Sequence, residues 1–236
     1  MRKSRVRSVA VAIIAAGLYS TGEAAGSPRV PPEERIAQQS DSGAADASYQ
    51  RAIELFREGT AESLRAAIPY LEEAARLYKQ AGNPAKQALA KLGLDRVFDL
   101  LGEKQQALEY YNQALPLFQA VGDRSLEAVT LNNIGLVYDA LGEKQTALEY
   151  YEQALPLFQA VGDRSGEAVT LNNIGRVYDD LGEKQTALEY YEQALPLLQA
   201  VGDRSGEAVT LNNIGGVYSV LGEKQTALEY YQQALP

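Results

Sequence analysis

Aspartate, serine and glutamate in the pattern D-x-S-x-E, paired asparagines and doubled tyrosines recur along this chain and are its candidates for chemistry. Asp163, Ser165 and Glu167 resemble the opening of a calcium loop, but the later oxygen ligands that complete such a loop are missing. An aspartate directly after Gly162 is better explained as a helix N-cap, its carboxylate accepting orphan backbone N–H groups. The 236 residues contain neither Cys nor His, which removes disulfides, thiolate nucleophiles, Cys/His zinc sites and triads built on an imidazole base. No catalytic residue, metal site or cofactor is predicted.

The pairs Asn132/Asn133, Asn172/Asn173 and Asn212/Asn213 fall in mid-helix patterns, where Asn is disfavoured because its amide competes with the backbone. Each amide offers a donor and an acceptor, so a row of them could hold the main chain of another polypeptide whatever its sequence. Equally, the second Asn of each pair could bridge neighbouring helices. Tyr150/Tyr151 and their counterparts are predicted to be one core residue beside an amphipathic neighbour, since no basic stripe accompanies them as a nucleic-acid platform would require.

The elements that must position these groups repeat every forty residues. Aligned on L-G-E-K-Q, the units run Ala88 to Glu127, Ala128 to Glu167, Ala168 to Glu207 and Ala208 to Pro236, the last incomplete, with a degenerate unit at Ser48 to Gln87. Leu131, Ile134, Gly135 and Tyr138 stand at helical spacing, as do Ala147, Tyr151, Ala154, Leu155 and Phe158 after Gly142. Two amphipathic helices joined by a tight turn are predicted per unit, with Gly142 and Gly162 as helix stops. Neither helix can bury its stripe alone, so successive pairs must stack, giving an all-α, right-handed α-solenoid. Pro116, Pro156, Pro196 and Pro236 fall inside the second helices and are predicted to bend them.

Leu131, Ile134, Gly135, Tyr138, Ala147, Tyr151 and Ala154 resemble the tetratricopeptide repeat (TPR) pattern, and the match recurs from Leu171 to Ala194 and from Leu211 to Ala234. Leu replaces the family's first Trp, and the unit has forty residues where the family has 34. The unit from Ala88 has Lys91 and Asp95 where Leu and Gly belong, which predicts looser packing there. A-L-P-L-F-Q-A-V-G-D-R-S-G-E-A-V-T-L-N-N-I-G is similar to exported bacterial arrays of the cyanobacterial kind, which often precede a caspase-like CHAT domain. Such a domain uses His and Cys, so its catalytic half would lie beyond Pro236 or be missing.

The units at Ala128 and Ala168 differ at three places: Leu136 against Arg176, Ala140 against Asp180 and Phe158 against Leu198. Arg176, Asp179, Asp180 and Glu192 then become Gly216, Ser219, Val220 and Gln232. Most of this change lies at i, i+3 and i+4 of the first helix, one face distinct from the Ile134/Tyr138 stripe. The resemblance implies that this face lines a concave groove, with Asn132, Asn172 and Asn212 as peptide-gripping amides. Leu136, Asp139, Ala140, Arg176, Asp179, Asp180, Gly216, Ser219 and Val220 are then groove residues that tune the ligand, or surface positions where substitution costs little.

Arg2, Lys3, Arg5 and Arg7 precede an apolar run from Val9 to Leu18, which reads as a secretory signal at residues 1–24, cleaved after Ala24 or Gly26. Its removal takes away four basic groups and Glu23, moving the formal charge from −9 to −12. An acidic exported protein is a poor partner for nucleic acid and membranes, and a plausible one for basic or neutral polypeptides. Residues 25–47, rich in Pro, Ser and Gly, are predicted to be a flexible linker before an array over residues 48–236. Near-copies present the same surface at intervals, which suits a long ligand. The expected function is a non-enzymatic scaffold holding a peptide segment, helical or extended. The alternatives are the recognition half of a larger protease-like polypeptide, or a structural array self-associating through its C-terminal unit.

Overall fold

A computed structural model describes residues 32–235, with side chains from residue 41. The expected signal segment and the linker up to residue 31 lie outside the described residues. Ten helices make up the described chain: α1 (Pro32–Glu58), α2 (Ala61–Gln80), α3 (Pro84–Leu101), α4 (Lys104–Val121), α5 (Arg124–Ala140), α6 (Lys144–Val161), α7 (Arg164–Asp180), α8 (Lys184–Ala200), α9 (Arg204–Val220) and α10 (Lys224–Gln233). They fall into two bodies, one through Asp123 and one from Arg124.

The turns are built as their residues require. Gly162 takes φ +72°, a left-handed conformation that a side chain would strain. Its N–H and that of Asp163 reach back to the carbonyls of Gln159 and Phe158 at 3.2 and 3.0 Å, a Schellman arrangement. Asp163 then caps α7, accepting from the Gly166 N–H at 2.9 Å, and Asp203 caps α9 from Gly206 at 3.0 Å. The D-x-S-x-E pattern is therefore a helix start. Helix pairs thus begin at Arg124, Arg164 and Arg204, four residues before the units aligned at Ala128, Ala168 and Ala208.

In the body from Arg124, α5 pairs with α6, α7 with α8 and α9 with α10, and each pair packs on the next. The fold class is all-α, with antiparallel pairs stacked in the α-solenoid manner. Close approach within a pair depends on glycine: a Cβ on Gly135 would lie 2.6 Å from Tyr151, and one on Gly175 would lie 2.8 Å from Tyr191. Tyr151 and Tyr191 are sealed at 0% and 1% exposure, with Ala147, Leu148, Ile174 and Val177 forming one cluster and Ala187, Leu188, Ile214 and Val217 the next. α4, α6 and α8 run unbroken through Pro116, Pro156 and Pro196. These prolines and the residues four before them, Asn112, Glu152 and Glu192, are exposed, so water can satisfy the carbonyls that lose an N–H partner.

In the body through Asp123, α2 packs on both α1 and α3, and α3 pairs with α4. The linker expectation is corrected for residues 32–47, which belong to α1. The segment has few large apolar residues, but Ala45 is 0% exposed, followed in the same helix by buried Tyr49, Ala52 and Ile53. Asp46 fastens the helix, accepting from the Tyr78 hydroxyl at 2.6 Å and from Lys86 Nζ at 2.7 Å.

Looser packing, expected in the unit from Ala88, is not seen at Ala107, Tyr111 and Ala114, which are as buried as their later counterparts. The anomaly is electrostatic. Asp95, where the other units have glycine, is 0% exposed and neither carboxylate oxygen has a hydrogen-bond partner. Burial pushes its pKa well upward, against smaller opposing effects of Tyr111 across on α4 and of Arg96. The folded state therefore holds a proton that the unfolded chain releases above the ordinary carboxylate range, so stability falls as pH rises from there. Asp95→Asn should raise the thermal midpoint of this body by more at pH 8 than at pH 4. Differential scanning calorimetry at both pH values checks this, and equal gains would contradict it.

Candidate functional site

The face of interest in the body from Arg124 lies on α5, α7 and α9, where a copied frame carries different residues. It begins from the asparagines. Asn132 Oδ1 on α5 accepts from Asn173 Nδ2 on α7 at 3.3 Å, and Asn172 Oδ1 accepts from Asn213 Nδ2 on α9 at 3.2 Å. Thr170 Oγ1 stands 3.1 Å from Asn132 Oδ1 and 2.8 Å from the Gly166 carbonyl, with one proton to give. The second Asn of one pair thus bridges to the first Asn of the pair before it. Asn132 is buried at 8% exposure and Asn172 is half-buried, while Asn212, with no successor among the described residues, is exposed and bonds to its own helix at the Ala208 carbonyl, 2.8 Å away. Thr130 and Thr210, 0% exposed like Thr170, give their hydroxyl protons to the Leu126 and Gly206 carbonyls of their own helices. Sequence reasoning missed them, and their only signal was a Thr recurring at fixed register beside Leu131, Leu171 and Leu211.

The variable positions divide by contact. Leu136 is half-buried and packs on the cluster around Tyr151, whereas Ala140 is open. Asp139 is buried, its side chain only 5% exposed, and takes Lys144 Nζ at 2.6 Å and Arg176 Nη2 at 2.5 Å. Arg176 therefore ties α7 to α5. Lys144 also pairs with Asp180. Burial works to lower the Lys144 pKa, but its hydrogen bonds to the two carboxylates outweigh this and the net shift is upward. Asp179 meets Lys184 at 2.5 Å. Gly216 is half-buried, and Ser219 and Val220 are exposed, Val220 at 69%. A surface pairing of Lys144 with Glu143 and Glu149, which chain proximity suggests, is replaced by one that crosses a turn and a repeat.

The doubled tyrosines divide as expected. Tyr151 and Tyr191 are core, while Tyr150 stacks on Tyr138 and Tyr190 on Tyr178, with centroids 5.4 and 5.5 Å apart. Burial raises the pKa of Tyr150 and Tyr190. Among the described residues no group of three acidic, His or Cys side chains could hold a metal ion, and no helix is long and apolar enough to cross a membrane. The face offers amide, carboxylate and guanidinium groups on rigid helices, which is recognition chemistry.

A tetratricopeptide repeat profile matches residues 100–160, 126–200 and 166–236, together more than half of the chain. Comparison with curated proteins gives no match. Among solved structures, BtubC from P. vanneervenii is similar at TM-score 0.61 and 20% identity, covering 86% of this chain and 90% of that one. The apo form of RapI is similar at TM-score 0.71 and 19% identity, covering 79% of this chain and 52% of that one. A signal transduction ATPase with a tetratricopeptide repeat sensor from Pyrococcus horikoshii is similar at TM-score 0.66 and 18% identity, covering 86% and 30%. At such identities these structures speak to fold.

Removing a buried carboxylate that serves two cations should cost more than removing an exposed one serving a single cation. Asp139→Ala is expected to destabilise by about 1–3 kcal/mol, and Asp179→Ala, whose carboxylate is 31% exposed, by under about 1 kcal/mol. Chemical denaturation of both variants checks the ranking.

Proposed function

From its membership of the tetratricopeptide repeat family, to which this chain belongs, we propose a non-enzymatic scaffold that holds a peptide segment of a partner on the α5, α7 and α9 face. Repeats of this family generally mediate protein–protein interaction. The observation that carries the proposal is that adjacent helix pairs are near-copies whose changes concentrate at three neighbouring positions of the first helix: Leu136, Arg176 and Gly216; Asp139, Asp179 and Ser219; and Ala140, Asp180 and Val220. Asn132 and Asn172 commit their oxygens to the stack, so what they offer a ligand is the amide nitrogen; Asn212 is exposed. The formal charge of −9 favours a basic or neutral segment.

Ala140 and Val220 are exposed, so Ala140→Arg with Val220→Arg alters this face without touching a buried contact. Partners captured from the exported fraction, chosen because the N-terminal segment reads as a secretory signal, should fall by about tenfold with this variant. Equal recovery at unchanged helicity would remove the face from the interaction.

A second reading, association with another copy, rests on α10. Leu228 and Tyr231 are 49% and 37% exposed, whereas Leu188 and Tyr191 at the same register are 2% and 1% exposed. A second copy covering these side chains would restore the burial the other pairs achieve. Sedimentation velocity should show concentration-dependent association that Leu228→Glu abolishes, and a monomer at every concentration would refute it.

A further inference from the structure

The body through Asp123 contains a cleft of about 240 Å³ between α2, α3 and α4, walled by Ala75, Arg76, Lys79, Lys91, Leu94 and Tyr110. It exists where the repeat is broken. Leu131, Leu171 and Leu211 occupy the register of Lys91, each 3% exposed, so in this unit an ammonium stands where the others place methyl groups. Lys91 Nζ donates to Gln113 Oε1 at 2.5 Å and lies 5.9 Å from the Tyr110 ring centroid.

The walls carry Arg76, Lys79 and Lys91 against one carboxylate, Glu72. Burial lowers the Lys91 pKa, and the positive charge of Lys79 lowers it further. Among the described residues neither lysine belongs to an ion pair. The wall carboxylate, Glu72, accepts from the Tyr110 hydroxyl at 3.0 Å, and Arg76 is forked onto Glu73 at 2.7 and 2.6 Å. Two mutually repelling cations thus face the cleft, each with N–H donors to spare beyond the one Lys91 gives Gln113. An oxyanion accepting from both would form charge-assisted hydrogen bonds and relieve the repulsion. Ala75, Leu94 and the Tyr110 ring supply apolar wall for a small attached body.

We propose that this cleft is a binding site for a small oxyanion, a phosphate or carboxylate group, held between Lys79 and Lys91. It is separate in residues and helices from the α5, α7 and α9 face. The test is isothermal titration of the full chain with inorganic phosphate and, separately, with acetate, at low ionic strength because Lys79 is exposed and salt would screen it. Saturable binding of either probe is expected, the responding probe identifying the source of the oxyanion. Lys91→Leu restores the residue of the other units and should weaken binding by about tenfold or more. Lys79→Gln, a surface change, should act in the same direction should Lys91→Leu disturb the pair. No saturable binding of either probe, or unchanged affinity in both variants, would overturn the proposal.

Discussion

Everything in the body from Arg124 depends on a tyrosine ring lying against a glycine. Gly135 meets Tyr151, Gly175 meets Tyr191 and Gly215 meets Tyr231, each so close that a methyl group at the glycine could not be accommodated without displacing the ring. The contact sets how near the two helices of a pair come, and that closeness lets Ala147 and Ala187 reach 0% exposure with small side chains. The face presented by α5, α7 and α9 inherits its spacing from this contact, which recurs in each pair while Leu136, Arg176 and Gly216 vary beside it.

The same contact explains what happens where it is absent. With Asp95 in place of glycine the pair still closes, and the difficulty passes from shape to charge. Burial pushes the pKa of this enclosed carboxyl group well upward, a cost a glycine never meets. Lys91, four residues earlier, is the complementary departure: its chain is long enough to carry its ammonium toward the cleft wall and Gln113.

How much was legible before any coordinates follows from which physics is local. The helix pairs, their turns at Gly142 and Gly162 and the Gly–Tyr packing are written in spacing within one forty-residue unit, and spacing reads periodicity well. The N-terminal part of α1 was illegible because its sequence, rich in Ser, Gln and Asp with few large apolar residues, carries little helical periodicity. The polar wiring was illegible for another reason. Lys144 has glutamates beside it in the chain, but its partners are Asp139 across a turn and Asp180 in the next pair, and only a three-dimensional arrangement distinguishes them. The asparagines lay between these cases: mid-helix placement announced that an amide was wanted, without saying whether the stack or a ligand wanted it.

The bonds between asparagines run one way. Asn173 gives its proton to Asn132 and Asn213 gives its proton to Asn172, so every pair arrives with a donor for its predecessor and an acceptor for whatever follows. A forty-residue stretch of gene duplicated in place would encode a segment already fitted at both edges, with no compensating change required upstream. Lengthening such an array is then a matter of copying, with the asparagine contact carried along in each copy.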